Sequence, residues 1–247
     1  MFARRAGAAI MAAVACAALT GRAEANGVRN VLELFTSQGC SSCPPADRIL
    51  GRLAADPETL ALSFPVDYWD YIGWKDTLAA PGFTARQRAY AEADGTGEVY
   101  TPQIIVNGLT DVVGSDLAAI EQAERDTDRR GEVLSVPLSV AERGGRLQIE
   151  IGAAAAGAPQ REAGIYLVGF ARSRTVSVQR GENAGATLTY ANVVRTMVKL
   201  GEWNGAAMTL EADLAPARAD GADAYAVILQ AGGRTRPTAI LAAAQGP

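Results

Sequence analysis

Histidine is absent from the 247-residue chain, which removes Ser-His-Asp triads, zinc hydrolases and the usual imidazole-bearing metal sites. Cysteine is scarce as well, with three residues, too few for a small disulfide-dense scaffold. Positive charge is in slight deficit: 23 Lys and Arg against 27 Asp and Glu give a formal net charge of −4. That balance argues against nucleic acid or an anionic bilayer as a partner, because both need a basic patch. No stretch reaches the ~20 consecutive apolar residues needed to cross a bilayer, so no membrane span is expected. What is present, 49% hydrophobic and 20% charged residues, describes one or two ordinary globular domains. Thiols, carboxylates, hydroxyls and amines are left to carry any chemistry.

The first 25 residues read as an export signal. Arg4 and Arg5 precede an Ala-rich apolar run from Ala6 to Leu19, and Ala23-Glu24-Ala25 supplies an A-x-A cleavage site. The mature chain is expected to start at Asn26 and to reside in the periplasm or outside the cell. Cleavage also removes Cys16. Cys40 and Cys43 then have only each other to pair with in an oxidising compartment.

Two halves with different periods follow. In residues 26–130 apolar runs such as Val31 to Phe35 and Leu60 to Val66 flank the helical spacing of Ile49, Leu50 and Leu53, the start of a βαβ unit. A helix around Phe83 to Glu92, a strand from Gln103 to Val106, an Asn107-Gly108 turn and a helix from Asp116 complete this half. After Gly131 the period becomes two, with about eight short strands separated by Gly-rich turns. The expected architecture is an α/β thioredoxin-like domain (26–130) followed by an all-β sandwich domain (131–247).

Cys40-Ser41-Ser42-Cys43 lies between the first strand and the first helix. A three-residue offset brings the two sulfurs within bridging reach. The amino end of a helix lowers a thiol pKa and stabilises the attacking thiolate, which makes Cys40 the expected nucleophile and Cys43 the resolving thiol. Pro44-Pro45 follow at once and place the helix start near Ser42, leaving Cys40 in the preceding turn. An inert structural disulfide is the alternative, although a four-residue loop constrains the unfolded chain little. Half a zinc site would need a second pair of ligands, and a copper-handling pair lacks His and a Met motif. No metal and no cofactor are expected.

Further along, Thr101-Pro102-Gln103, Asn107-Gly108 and Gly114-Ser115-Asp116 resemble the T-x-P-Q strand, N-G turn and G-S-D helix start with which glutaredoxins bind glutathione. The resemblance implies a cis Pro102 facing the thiols, Thr101 pairing its backbone with a bound peptide, and Asp116 meeting a substrate amine. For Asp116 a helix cap is the plainer reading. Val66-Asp67-Tyr68-Trp69-Asp70-Tyr71-Ile72-Gly73-Trp74, the Leu34 to Cys40 segment, Arg180-Gly181-Glu182-Asn183 and Asn192-Val193-Val194-Arg195 resemble the secreted bacterial thioredoxin-like family catalogued as domain of unknown function 1223. Trp69 and Trp74 would then form an aromatic wall that grips a peptidic substrate, with core packing as the other reading. Asp67 is a candidate proton acceptor. The expected function is an exported thiol-disulfide oxidoreductase whose partners are protein or peptide thiols and disulfides, with glutathione among the candidates. A non-enzymatic periplasmic binding protein holding a structural Cys40–Cys43 bridge is the competing expectation.

Overall fold

The structure is a computed structural model that describes residues 27–157 and 162–246; the segment expected to be an export signal, with Cys16, lies outside the described residues. Strand β1 (Asn30–Thr36) alternates its side chains between two faces, sending Val31, Glu33 and Phe35 one way and Leu32, Leu34 and Thr36 the other. Helix α1 (Cys43–Leu53) crosses to β2 (Thr59–Pro65), which pairs parallel to β1, so the expected βαβ unit is formed. Ser42 is the N-cap residue and Pro44 and Pro45 fill the first turn, where their missing N–H groups would have no helical partner anyway. Helix α2 (Pro81–Asp94), strands β3 (Gln103–Val106) and β4 (Thr110–Val113), and helix α3 (Leu117–Asp128) complete the first half.

Among the described residues the second half contains seven strands: β5 (Leu138–Arg143), β6 (Arg146–Ile151), β7 (Ala163–Ser177), β8 (Thr187–Trp203), β9 (Met208–Asp213), β10 (Ala224–Ala231) and β11 (Ile240–Gly246). They do not build a separate sandwich. One eight-stranded mixed sheet runs in the order β11-β10-β7-β8-β2-β1-β3-β4, and only β5, β6 and β9 form a second, three-stranded sheet. The expectation of a thioredoxin-like α/β domain followed by an all-β sandwich is therefore corrected: strand is the dominant regular structure among the described residues, and the main sheet crosses residue 131 without a break. The physical reason is that β2 leaves a sheet edge which β8 fills. Ser63 pairs parallel with Val193, and the Asn192 side-chain amide donates to the Ala61 carbonyl at 2.9 Å. A local reading of period two cannot tell which sheet a strand joins.

The cores follow from this continuity. Between the sheet and α2, Val31, Phe35 and Phe64 of the first half pack with Val168, Phe170, Val194 and Ile228 of the second. Under α1 and α3, Leu34, Ala46, Leu50, Ile104 and Ile120 form a core of the first half alone. The three-stranded sheet lays Leu147, Ile149 and Ile151 on Leu167, Trp203 and Leu229. Gly108 shows how closely the halves meet. Its φ of +75° suits glycine, and a Cβ there would stand 2.3 Å from the carbonyl oxygen of Thr238.

The polar group that locks the α2 side is Glu33, fully buried in the middle of β1. Arg86 of α2 donates to both its oxygens, from Nε at 3.0 Å to Oε1 and from Nη2 at 2.8 and 2.9 Å. Tyr90 donates its hydroxyl to Glu33 Oε2. Gln230 of β10 accepts from Arg86 at 2.9 Å and donates to the Tyr90 oxygen at 2.7 Å. Burial alone would push the Arg86 pKa down; the Glu33 carboxylate beside it more than offsets this and holds it up. No helix of the described residues is long and apolar enough to cross a membrane.

Candidate functional site

Cys40 and Cys43 are joined in a disulfide with Cα atoms 5.4 Å apart, at the amino end of α1 as expected. Both are buried, Cys40 being 1% exposed and Cys43 0%, whereas the flanking Ser41 and Ser42 side chains face solvent. Ser42 Oγ lies 3.4 Å from Cys40 Sγ. The peptide bond between Thr101 and Pro102 is cis, and the Thr101 carbonyl oxygen stands 3.8 Å from Cys40 Sγ. In the reduced protein that carbonyl is placed to accept from the Cys40 thiol. Gly114 backs this arrangement. Its N–H donates to the Pro102 carbonyl at 2.9 Å, and a Cβ on it would meet Leu34, Ala46 and Pro102 at 2.9 to 3.3 Å.

The aromatic segment borders the thiols. Trp69 donates its indole N–H to Thr101 Oγ1 at 2.8 Å, and Tyr71, 80% exposed, stacks on the Trp69 ring. Trp74 donates to Gln38 Oε1 at 2.8 Å. The Gln38 N–H in turn donates to Asp76 at 2.8 Å, and Asp76 also accepts from the N–H groups of Leu78 and Ala79 at 2.8 and 3.1 Å. Burial raises the Asp76 pKa, against the lowering effect of those three N–H groups. Of the expected site residues, then, Thr101 lies at Cys40 with Trp69 hydrogen-bonded to it and Pro102 next to it in the chain, and Trp74 holds the loop before the cysteines. Asp116 is the N-cap of α3, accepting from the Ala119 N–H at 3.0 Å. Asp67 accepts from the Thr84 hydroxyl at 2.6 Å and so joins the segment to α2.

Two features escaped sequence reasoning. The first is Asp47, one helical turn after Cys43 and on the same inward face. The Thr36 hydroxyl donates to its Oδ1 at 2.8 Å, while Oδ2 has no partner. Burial raises its pKa from 3.8 to about 7, the Thr36 hydrogen bond opposing the rise. The Tyr190 hydroxyl of β8 is buried without a partner too, and burial together with the charges of Asp47 and Asp76 raises its pKa. A charge inside the apolar stripe of Ala46, Ile49 and Leu50 was the available signal for Asp47.

The second feature is the hairpin tip between β7 and β8. Asn183 donates its side-chain amide to the carbonyls of Gln38 and Cys40, each at 2.9 Å. Glu182 accepts from the Ser41 N–H at 3.2 Å. Gly181 packs against Trp74, where a Cβ would come within 3.3 Å of the tryptophan Cβ. Among the described residues no group of three or more His, Cys, Asp or Glu side chains could hold a metal ion.

Residues 31–230 match the family described as Protein of unknown function (DUF1223). The chain belongs to this family. The matched span takes in the thiol pair, the aromatic segment and the β7–β8 tip together. The X-ray crystal structure of protein AGR_C_4864 from Agrobacterium tumefaciens is similar at 36% identity and a TM-score of 0.78, over 89% of this chain and 94% of that one. HBP35 of Porphyromonas gingivalis has a similar fold at 14% identity and a TM-score of 0.60, over 88% of this chain and 74% of its own. No curated protein matches significantly.

Proposed function

We propose that the chain is an exported thiol-disulfide oxidoreductase that works through Cys40 and Cys43. The observation that carries this reading is the joint placement of a short-loop disulfide at a helix start, a carbonyl at 3.8 Å from Cys40 Sγ, and a buried carboxyl with an unpaired oxygen one turn behind Cys43. A purely structural bridge needs neither of the last two. Buried ionisable groups with shifted pKa values and unmet hydrogen bonds concentrate where chemistry is done.

In the reducing direction the Cys40 thiolate attacks one sulfur of a substrate disulfide; that S–S bond breaks and the other substrate sulfur leaves as a thiolate. Cys43, after giving up its proton, attacks Cys40 in the mixed disulfide and expels the second substrate sulfur. Two electrons pass from the protein dithiol to the substrate, and the reverse sequence oxidises a substrate dithiol. Asp47, half ionised near pH 7, takes the Cys43 proton or returns it. Substrates are protein or peptide thiols and disulfides, with glutathione as a small alternative. Thr101 supplies the backbone edge for an extended substrate and the Trp69–Tyr71 stack the apolar wall beside it.

The burial of Cys40 favours a second reading, a binding protein in which the pair is a permanent bridge. Cys43→Ser separates the two. On the exchange reading this variant, expressed with its export segment, accumulates reductant-sensitive mixed disulfides through Cys40, and Cys40→Ser/Cys43→Ser accumulates none. Absence of adducts from both would leave the bridge structural.

A further inference from the structure

Arg180-Gly181-Glu182-Asn183 has no part in the exchange chemistry described above, yet it reaches the thiols from about 140 residues away in sequence. It sits at the tip of the longest hairpin of the fold, whose strands β7 and β8 run 15 and 17 residues. A tip that merely closed a hairpin would face solvent. This one places two of its polar side chains, Glu182 and Asn183, on the backbone around Cys40.

We infer that Glu182 and Asn183 gate the thiol pair, Asn183 by tying the tip to the turn that carries Cys40 and Glu182 by keeping a negative charge on the amide next to Cys40. The inference rests on the exchange reading for its purpose, though not for its test. Asn183 bridges two carbonyls with one amide, Gln38 and Cys40, so it fixes the turn that carries the nucleophile. The tip, with Gly181 packed against Trp74, is thereby tied to the backbone on both sides of a cysteine that is 1% exposed, and on this inference its release is what lets a substrate sulfur reach Sγ. Glu182 accepts from the Ser41 N–H, a backbone donor next to Cys40 that would otherwise be free to stabilise a thiolate. The carboxylate both occupies that donor and repels a second anion beside it.

Other titratable and charged groups stand on the elements around the pair and set the background for this effect. From α1 come Asp47 and the exposed Arg48, from β8 Tyr190, and from the segment packed under the tip Asp70, Lys75 and Asp76. Arg180 is the neighbouring cation on the tip itself. Glu182 differs from the other carboxylates in resting directly on the amide beside Cys40.

The test uses the full mature chain, reduced with a phosphine, and follows iodoacetamide alkylation of Cys40 against pH by peptide mass spectrometry. Glu182→Gln should move the midpoint of the Cys40 profile to lower pH, with reaction near pH 6 at least threefold faster than in the parent. Asn183→Ala should raise the rate on the high-pH plateau by about tenfold, since access rather than ionisation limits it there, and Asn183→Gln should restore part of the protection. Reduction of the oxidised protein by the same phosphine should quicken in parallel. Unchanged midpoint and plateau, in variants whose circular dichroism matches the parent, would overturn the gate. If the variants behave as stated while Cys43→Ser traps no partner, the gate stands and the exchange reading falls.

Discussion

The two faces of β1 hold buried polar clusters of opposite character. On the α2 face Glu33, Arg86, Tyr90 and Gln230 hydrogen-bond one another, and none of their buried side-chain polar atoms is without a partner. On the α1 face, Thr36 meets Asp47, but Asp47 Oδ2, the Tyr190 hydroxyl and the Ser63 hydroxyl are left without partners. A satisfied network rigidifies a core and resists change. An unsatisfied one keeps a proton acceptor available at the expense of stability. On the proposed exchange reading the first cluster is structural and the second, on the helix that carries Cys43, is functional.

The comparison predicts large losses on the α2 face. A fragment ending near Arg130 lacks Gln230 and uncovers Phe35, Phe64 and Val31 where Val168, Phe170 and Ile228 lay; it should fail to give a dispersed NMR spectrum or a cooperative urea transition. A folded fragment would mean that the first half is a domain on its own. Next in size, Arg86→Ala should destabilise by about 3 to 5 kcal/mol in urea unfolding, because it strands the Glu33 charge in the core. A loss below about 1 kcal/mol would remove the contrast between the faces.

Smaller effects are expected on the α1 face, with distinctive signs. The Asp47 carboxyl ionises near 3.8 when exposed and about 7 when folded, so the folded chain holds one more proton than the unfolded chain between those values. Stability then falls as pH rises through that window, by up to about 1.4 kcal/mol per pH unit. Asp47→Asn should flatten this slope, raise stability at pH 8 and slow resolution of the mixed disulfide; stability profiles from pH 4 to 8 check the first two. An unchanged slope would show that Asp47 is not the titrating group. Tyr190→Phe removes a hydroxyl with no partner and should change stability by less than about 1 kcal/mol in either direction, whereas a larger loss would reveal a bond the hydroxyl makes.

What was legible in the sequence is what is local. The cysteine pair, the helix start imposed by Pro44 and Pro45, the cap at Asp116 and the cis bond before Pro102 all lie within short segments whose chemistry is self-contained. The architecture was misread because strand period reports which face is buried and not which neighbour a strand takes. Val193 joins Ser63 across 130 residues, and nothing in either segment announces it. The same distance hid Glu182 and Asn183. Glu33 was concealed for another reason: a single charge in an apolar strand looks like an interruption until Arg86 is seen across from it.

The reduction potential of the Cys40–Cys43 pair tests the central claim most directly. Structural bridges in exported proteins lie below about −300 mV, whereas exchange-active pairs lie above it. Equilibration of the mature protein in graded glutathione buffers, read by alkylation and mass, should place this pair above that value. A potential below it would assign the bridge to structure and contradict the account.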